Sequence, residues 1–355
     1  MFVFLIVLLC IAGGLEYISL RSGTSSVETS YTLSDQRIEP GREVELITSV
    51  RNTSWMPISY YSVQTSFPML TEFPQDASVS RELHSKVLTD IYRLWSRQRI
   101  VRRVPFRIEK RGVHSVIGKQ VQHGDFFGLQ TSSDYLAQRR EVLVYPRRLE
   151  NSRLLEALGS YFGEISARRW LIRDPIIHIG VREYTGNEAM RTISWSQTAR
   201  RGELMVREFD YTRSMNCCVL FCLDGLRYDE SELLDLCCSA VRTICEELAA
   251  KGVDVQLYTN AALIGYPAGT YRKCVAAQGK MTDALDLLAR ATTECMFPAE
   301  KMAAECLERD GDNSAFLLLA PRANESTEEA LALLNRSGAA GAMLITGDAL
   351  EGGAI

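Results

Sequence analysis

Hydrophobic and polar positions along this chain fall into three regimes. Residues 1–12 are apolar without a break, and after Gly13, Gly14, Leu15 and Glu16 the apolar character resumes from Tyr17 to Leu20. From Val27 to Arg148, short runs rich in β-branched and aromatic residues recur, among them Val44–Val50 and Ile58–Val63. Such residues suit a pleated, half-buried surface. Turn signals at Glu39-Pro40-Gly41, Arg51-Asn52-Thr53, Lys110-Arg111-Gly112 and His123-Gly124-Asp125 separate the runs. This spacing predicts a small antiparallel β-sandwich over residues 25–150. Residues 151–215 then read as a connector with a short helix from Leu154 to Leu158.

After Cys217 strands and helices alternate. Cys217 to Leu223 is a continuous apolar run, as in a parallel strand covered on both faces. Helical periodicity from Glu230 to Ala250 places Leu233, Leu234, Cys237, Val241, Ile244, Cys245 and Leu248 on one side. Strands are expected at Val253–Tyr258, Ala315–Leu319 and Ala342–Thr346, with helices at Met281–Ala291, Ala299–Glu308 and Ser326–Asn335. That alternation predicts a doubly wound parallel sheet over residues 216–355. The fold class expected for the whole chain is α+β and multidomain.

The N-terminal run bears on location. A membrane helix needs about 20 apolar residues, and residues 1–20 reach that length if Glu16 sits at a headgroup. A signal peptide is the alternative, but no Lys or Arg precedes Arg21 and Ala12-Gly13-Gly14-Leu15 is a poor cleavage site. The expectation is a single-pass anchor at residues 1–20. Because the first basic residue follows the span, the bulk of the chain is placed in the cytoplasm.

Of ten cysteines in 355 residues, nine fall between Cys217 and Cys306. Two pairs are adjacent, Cys217-Cys218 and Cys237-Cys238. Vicinal residues on a strand point to opposite faces, so these read as reduced thiols used as small hydrophobes, which agrees with a reducing compartment. A zinc site is the rival reading, but no C-x-x-C occurs and no His follows His178.

Composition is that of a globular protein, 46% apolar and 24% charged with a net charge of −4, and argues against a dedicated nucleic-acid binder. Charge is uneven. Residues 93–148 hold 13 basic and 4 acidic residues, whereas residues 217–355 hold 11 basic and 21 acidic. Complementarity between domains with solvated faces explains this. A sharper reading sets a basic sandwich face on anionic lipid near the anchor.

Catalytic patterns are missing. Gly279-Lys280 is followed by Met281 and lacks the upstream glycine of a phosphate-binding loop, and there is no G-x-G-x-x-G, H-E-x-x-H or G-x-S-x-G. His84, His114, His123 and His178 are scattered. The residue-rich stretch is 181–210, which gathers Arg182, Glu183, Tyr184, Gly186, Arg191, Trp195, Ala199, Arg200 and Arg207. Its guanidinium groups suit carboxylates or the faces of Tyr184 and Trp195. Two readings stand side by side. One is a structural clamp seating the segment against the following domain, which the residues alone favour. The other is a recognition surface for an acidic or phosphate-bearing partner.

Residues 181–224 resemble the signature of the bacterial and archaeal family catalogued as domain of unknown function 58. Arg182-Glu183-Tyr184, Gly186, Arg191, Ile193, Trp195, Thr198-Ala199-Arg200, Leu204, Val206-Arg207 and Phe209 carry the likeness, with one residue fewer between Tyr184 and Gly186 than the family pattern has. Asn187 stands where the family has Asp. Upstream, Arg111-Gly112-Val113, Asp125-Phe126-Phe127-Gly128-Leu129 and Val144-Tyr145-Pro146-Arg147 are similar to further family motifs. The likeness spans roughly residues 1–260. It implies a C-terminal part like a von Willebrand factor type A domain, and a protein partner of the MoxR class of AAA+ ATPases in envelope-related assembly. The family commonly has two N-terminal membrane helices, where one is read here.

Type A domains bind a divalent cation through D-x-S-x-S after the first strand. The matching residues here are Asp224-Gly225-Leu226-Arg227-Tyr228. The Asp is kept, both serines are gone, and Arg227 would oppose a cation. The expectation is therefore no metal and no cofactor, with Asp224 capping the next helix or pairing with an arginine. The functional expectation is a non-catalytic, membrane-anchored interaction module. The alternatives are an envelope-polymer hydrolase or transferase holding an anionic substrate in a basic cleft, and a periplasmic adhesion-type module.

Overall fold

The computed structural model describes residues 4, 13–14, 26–124, 131–169, 178–185, 190, 193–209, 216–267, 272–275, 281–310, 314–336, 341–347 and 350. The chain is mixed α and β with several sheets. It divides into one unit of Met1–Arg147 with Leu288–Ala291, and a second of Arg148–Leu287 with Thr292–Ile355. Among the described residues no helix is long and apolar enough to cross a membrane. The anchor expected at residues 1–20 lies outside the described residues apart from Phe4, Gly13 and Gly14.

The first unit is built from β1 (Val27–Leu33), β2 (Arg37–Ile38), β3 (Glu43–Asn52), β4 (Ile58–Pro68), β5 (Thr71–Glu72), β6 (Val79–Arg81), β7 (Ser85–Leu94), β8 (Arg99–Ile108), β9 (Gly112–Gly124), β10 (Thr131–Tyr135) and β11 (Arg139–Val144). One sheet runs β1-β3-β8-β5 and is antiparallel. The other runs β2-β11-β9-β4-β7-β6, with β10 also pairing β9. Strand β3 shows why. Val44, Leu46, Thr48, Val50 and Asn52 are buried while the residues between them are not, the period of two that a strand with one covered face requires. The two sheets share one core. Val44, Leu46, Val104 and Phe106 from the first meet Phe67, Leu88, Val116, Val142 and Val144 from the second. The rings of Phe67 and Phe106 pack edge to face with centroids 5.1 Å apart, and burying each such ring contributes about 1.5–3 kcal/mol.

Apart from Leu288–Ala291, the second unit contains α1 (Ser152–Arg169), β12 (His178–Glu183), α2 (Trp195–Arg201), β13 (Met205–Phe209), β14 (Asn216–Phe221), α3 (Ser231–Ala250), β15 (Asp254–Thr259), β16 (Ala261–Leu263), β17 (Arg272–Val275), α4 (Met281–Arg290), β18 (Ala291–Cys295), α5 (Ala299–Asp310), β19 (Ser314–Ala320), α6 (Glu325–Arg336) and β20 (Gly341–Thr346). Its main sheet has the order β17-β15-β14-β19-β20. Strands β15, β14, β19 and β20 are parallel. Strand β17 is antiparallel to β15, so the sheet is not the purely parallel one expected. Alternate residues of β14 serve opposite faces: Cys218, Leu220 and then Cys222 pack with α5 and α6, while Cys217 lies beside Cys245 of α3.

Helix α1 is longer than the Leu154–Leu158 turn expected. Gly159 and Gly163 weaken its local propensity, but Leu154, Leu158 and Phe162, spaced by four, are all buried. The Tyr161 hydroxyl, with one hydrogen, lies 2.9 Å from the Phe316 carbonyl and 2.8 Å from that of Gly341. Tertiary burial thus extends the helix past its glycines.

Candidate functional site

Strands β12 and β13 form a two-stranded antiparallel ribbon that sets Arg182 opposite Val206 and Val181 opposite Arg207. Helix α2 sits between them in the chain. It is tied to β13 at its N-cap, Ser194, and at its midpoint, Thr198. The Ser194 amide donates to the Met205 carbonyl at 2.8 Å, and the Met205 amide donates to the Thr198 hydroxyl at 3.0 Å. The helix stops at Gly202, which is left-handed (φ 77°) and donates its amide to the Thr198 carbonyl at 2.9 Å. A side chain is disfavoured in that conformation, which explains a glycine after Arg200-Arg201.

The segment has two sides. Ile193, Met205 and Val206 are buried beneath it. No residue of α2 is buried; Trp195 is 61% exposed, and Ala199, Arg200 and Arg201 face solvent. Met190 is 70% exposed nearby in the chain. Arg182 and Glu183 are exposed, and an Arg182 Nη1 donates to the Glu183 carbonyl at 3.2 Å. Tyr184 is half-buried and its amide donates to the Leu204 carbonyl at 2.8 Å. Gly186, Asn187 and Arg191 lie outside the described residues, as does Asp125–Leu129; Arg207 is described for its backbone. Ser194, Thr198 and Gly202, which position the helix, did not stand out as site residues. The glycine after a basic helix end was their one legible signal.

Asp224 belongs to a different cluster, at the carboxyl ends of β14 and β15. Its Oδ1 accepts from the Ala299 amide at 3.2 Å and lies 3.0 Å from the Ser326 hydroxyl. Its Oδ2 accepts from Asn260 Nδ2 at 2.6 Å and from the Cys295 thiol at 3.8 Å. Asn260 is fully buried; it also donates to the Phe297 carbonyl at 2.8 Å and accepts from the Leu223 amide at 2.9 Å. The Ser326 hydroxyl lies 2.6 Å from Glu300 Oε2 as well. Asp224 therefore caps α5, whose first residue is Ala299, and not the next helix in the chain. Among the described residues no arginine joins it. Arg322 instead forks onto Glu230 with contacts of 2.9 and 2.8 Å, holding that carboxyl down to about 2.

A divalent cation does not fit here. Both Asp224 oxygens already have protein donors, the Leu226 side chain has no ligating atom, and Arg227 pairs with Glu230 at 3.5 Å. Nor is the thiol activated. Cys295 is exposed as a residue, yet desolvation on its inner side, with the Asp224 charge beside it, pushes its thiol up to about 11, which favours thiol over thiolate at neutral pH. Burial likewise raises Cys222. The cluster is a hydrogen-bonded network at the carboxyl ends of β14 and β15. Asn260, Cys295, Glu300 and Ser326 were not singled out from sequence, because parallel pairing of Phe221 with Thr259 is what brings the ends of these strands together.

Residues 180–227 match the family model described as Protein of unknown function DUF58. That match covers 48 of the chain's 355 residues. No curated protein matches the chain. Similar solved structures include a cohesin module from a Clostridium perfringens family 33 glycoside hydrolase, at 10% identity and TM-score 0.27 over 34% of this chain and 96% of that one. A type I cohesin from Pseudobacteroides cellulosolvens gives 11% and 0.25 over 33% and 91%. A CARDB domain from Pyrococcus furiosus gives 10% and 0.22 over 34% and 90%. TM-scores this low fix neither a shared fold nor a function.

In the DUF58 segment, the match runs from β12 through α2 and β13 to Arg227. It thus includes both the exposed helix and Asp224, although the partners of Asp224 come from β14-flanking and later elements.

Proposed function

We propose that this chain is a non-catalytic, membrane-anchored interaction module that docks a protein partner of the MoxR AAA+ class on the outer side of its DUF58 segment. The observation that carries the reading is α2: a helix tied to β13 at its N-cap and at Thr198 that buries none of its own residues. It offers Trp195, Ala199 and Arg200 to solvent. An exposed aromatic on the same helix as Arg200 and Arg201 is the composition of an interface anchor. The saturated Asp224 cluster supports the same reading, because it leaves the sheet mouth with shape and no free base. The order β15-β14-β19-β20 with helices on both faces supports a von Willebrand factor A-like architecture for residues 216–355. The apolar run 1–20 supports an anchor that leaves the bulk of the chain cytoplasmic.

The test is binding of a purified MoxR-class ATPase to the full chain in membranes. Trp195→Ala with Arg200→Glu is expected to reduce binding at least tenfold while thermal unfolding is unchanged. If the double variant binds as tightly as the parent, the docking surface is misplaced.

A further inference from the structure

One end of the first unit carries two exposed tryptophans. Trp55 lies between β3 and β4 and is 67% exposed; Trp95 lies between β7 and β8 and is 73% exposed. Their turns are built as one piece. Asn52, fully buried, donates Nδ2 to the Met56 carbonyl at 2.8 Å and to the Trp95 carbonyl at 3.0 Å, and its amide to the Gln98 carbonyl at 2.9 Å. The Arg97 amide donates to the Ser54 carbonyl at 3.0 Å. The Trp95 amide donates to Gln98 Oε1 at 2.7 Å. Arg97 holds a left-handed backbone (φ 54°) that a non-glycine residue rarely adopts, so the network over-determines this turn. Beneath it, Val50, Tyr61, Val63, Tyr92, Leu94 and Val121 form a buried cluster. The tryptophans are thus presented on a rigid support.

Basic side chains outnumber acidic ones around them. No Asp or Glu occurs in residues 46–71 or 91–108. Arg93, Arg97 and Arg99 are exposed. Among the described residues Arg93 and Arg97 form no ion pair, while Arg51 pairs with Glu28 at 3.8 Å.

The chain enters the unit at this same end. The Ser26 carbonyl accepts from both the amide and the hydroxyl of Thr53 at 2.8 Å, and Val27 pairs with Asn52. The apolar run ends at Leu20. Six steps of chain, at most ~3.6 Å each, keep Ser26 within about 22 Å of that run. Tryptophan prefers the headgroup level of a bilayer, and arginine meets lipid phosphate.

We infer that the Trp55–Trp95 tip rests in the interface of an anionic bilayer, its rings among the headgroups and Arg93 and Arg97 on lipid phosphates. The inference rests on residues 1–20 being membrane-embedded, and it adds that the sandwich is seated on the surface rather than swinging from a tether.

The test uses the full chain in vesicles of equal parts phosphatidylcholine and phosphatidylglycerol. Trp170 and Trp195 are changed to Phe, and either Trp55 or Trp95 is retained. Lipids brominated near the top of the acyl chain then report contact. Both tryptophans are expected to lose most of their emission, and Arg93→Gln with Arg97→Gln, or vesicles of phosphatidylcholine alone, to restore a large part of it. If removing Trp170 or Trp195 disturbs the fold, the otherwise unaltered chain is compared with Trp55→Ser/Trp95→Ser, and the quenched emission is expected to vanish with the two tips. A chain that floats with the vesicles in high salt yet shows no quenching at either position overturns the seated tip and leaves the anchor standing. A chain that does not float overturns both. Unquenched tryptophans that become accessible to aqueous iodide on dilution would assign the tip to a second copy, and that too overturns the inference.

Discussion

Asn260→Ala tests whether the Asp224 cluster is a structural plug. The amide side chain is wholly buried and joins three elements. Removing it deprives the Asp224 carboxylate of a 2.6 Å donor, worth about 1.5–3 kcal/mol for a charged acceptor. It also leaves the buried Leu223 amide without the oxygen it meets at 2.9 Å, a desolvation cost of about 1–3 kcal/mol. The Phe297 carbonyl loses a 2.8 Å donor, for about another 1 kcal/mol. These effects are coupled, so about 3–5 kcal/mol is expected in total, a large part of the ~5–15 kcal/mol that holds a domain together. Hydrogen exchange of the full chain, read by mass spectrometry on peptides covering β14 and β15, measures it. Protection there should fall by roughly a hundredfold or more, at 1.4 kcal/mol per decade, while peptides from β3 and β8 stay unchanged. Asn260→Asp should be at least as damaging at neutral pH, because two carboxylates then meet in a buried site, and acidification should relieve it. A loss of protection below about tenfold for Asn260→Ala would refute the reasoning, since a cluster so cheaply opened is not what closes the sheet.

Further outcomes follow from particular residues. Gly225→Ala should cost about 1–2 kcal/mol in thermal unfolding, because Gly225 is left-handed (φ 80°) and a Cβ would lie 3.2 Å from Asn324 Nδ2. Phe106→Ala should cost about 3–5 kcal/mol by urea unfolding, as the ring is buried between both sheets of the first unit. His123 is buried, its ring nitrogens lack partners among the described residues, and burial lowers its pKa below 6.5. The unfolded chain then binds a proton that the folded one refuses, so stability should fall as pH drops through about 6.5, and His123→Gln should flatten that slope. Cys295 should be the first of the eight described cysteines to react with iodoacetamide. A pKa near 11 against an ordinary 9.0 leaves roughly a hundredfold less thiolate than a free thiol has, and Asp224→Ala should speed the reaction.

Long periodic segments were legible in the sequence. The Cys217–Leu223 run, the stripe from Leu233 to Leu248 and the strands near Val255, Leu317 and Leu344 all form where hydrophobic period placed them. Shorter elements were not. Strands β16 and β18 have three and five residues, too few to establish a period, and β17 pairs antiparallel for reasons its four residues do not display. Helix α1 was hidden by its glycines. In the candidate site, the side chains of the DUF58 segment could be named from their motif, but which of them face solvent depends on Ile193, Met205 and Val206 being drawn inward. The Asp224 cluster was legible in one residue of five. Asn260 lies 36 positions from Asp224 and Ser326 lies 102 away; strand order brings them together, and no spacing rule records it.

Strand β14 carries sulfur on both of its faces, with Cys217 turned to one layer of helices and Cys218 to the other, each wholly enclosed. Wrong cross-links are available to these thiols until both layers have closed. The hazard for this domain therefore belongs to its synthesis and not to its working life: an oxidant met by a half-made chain can trap it, while the same oxidant meeting the finished sheet finds most of its targets out of reach.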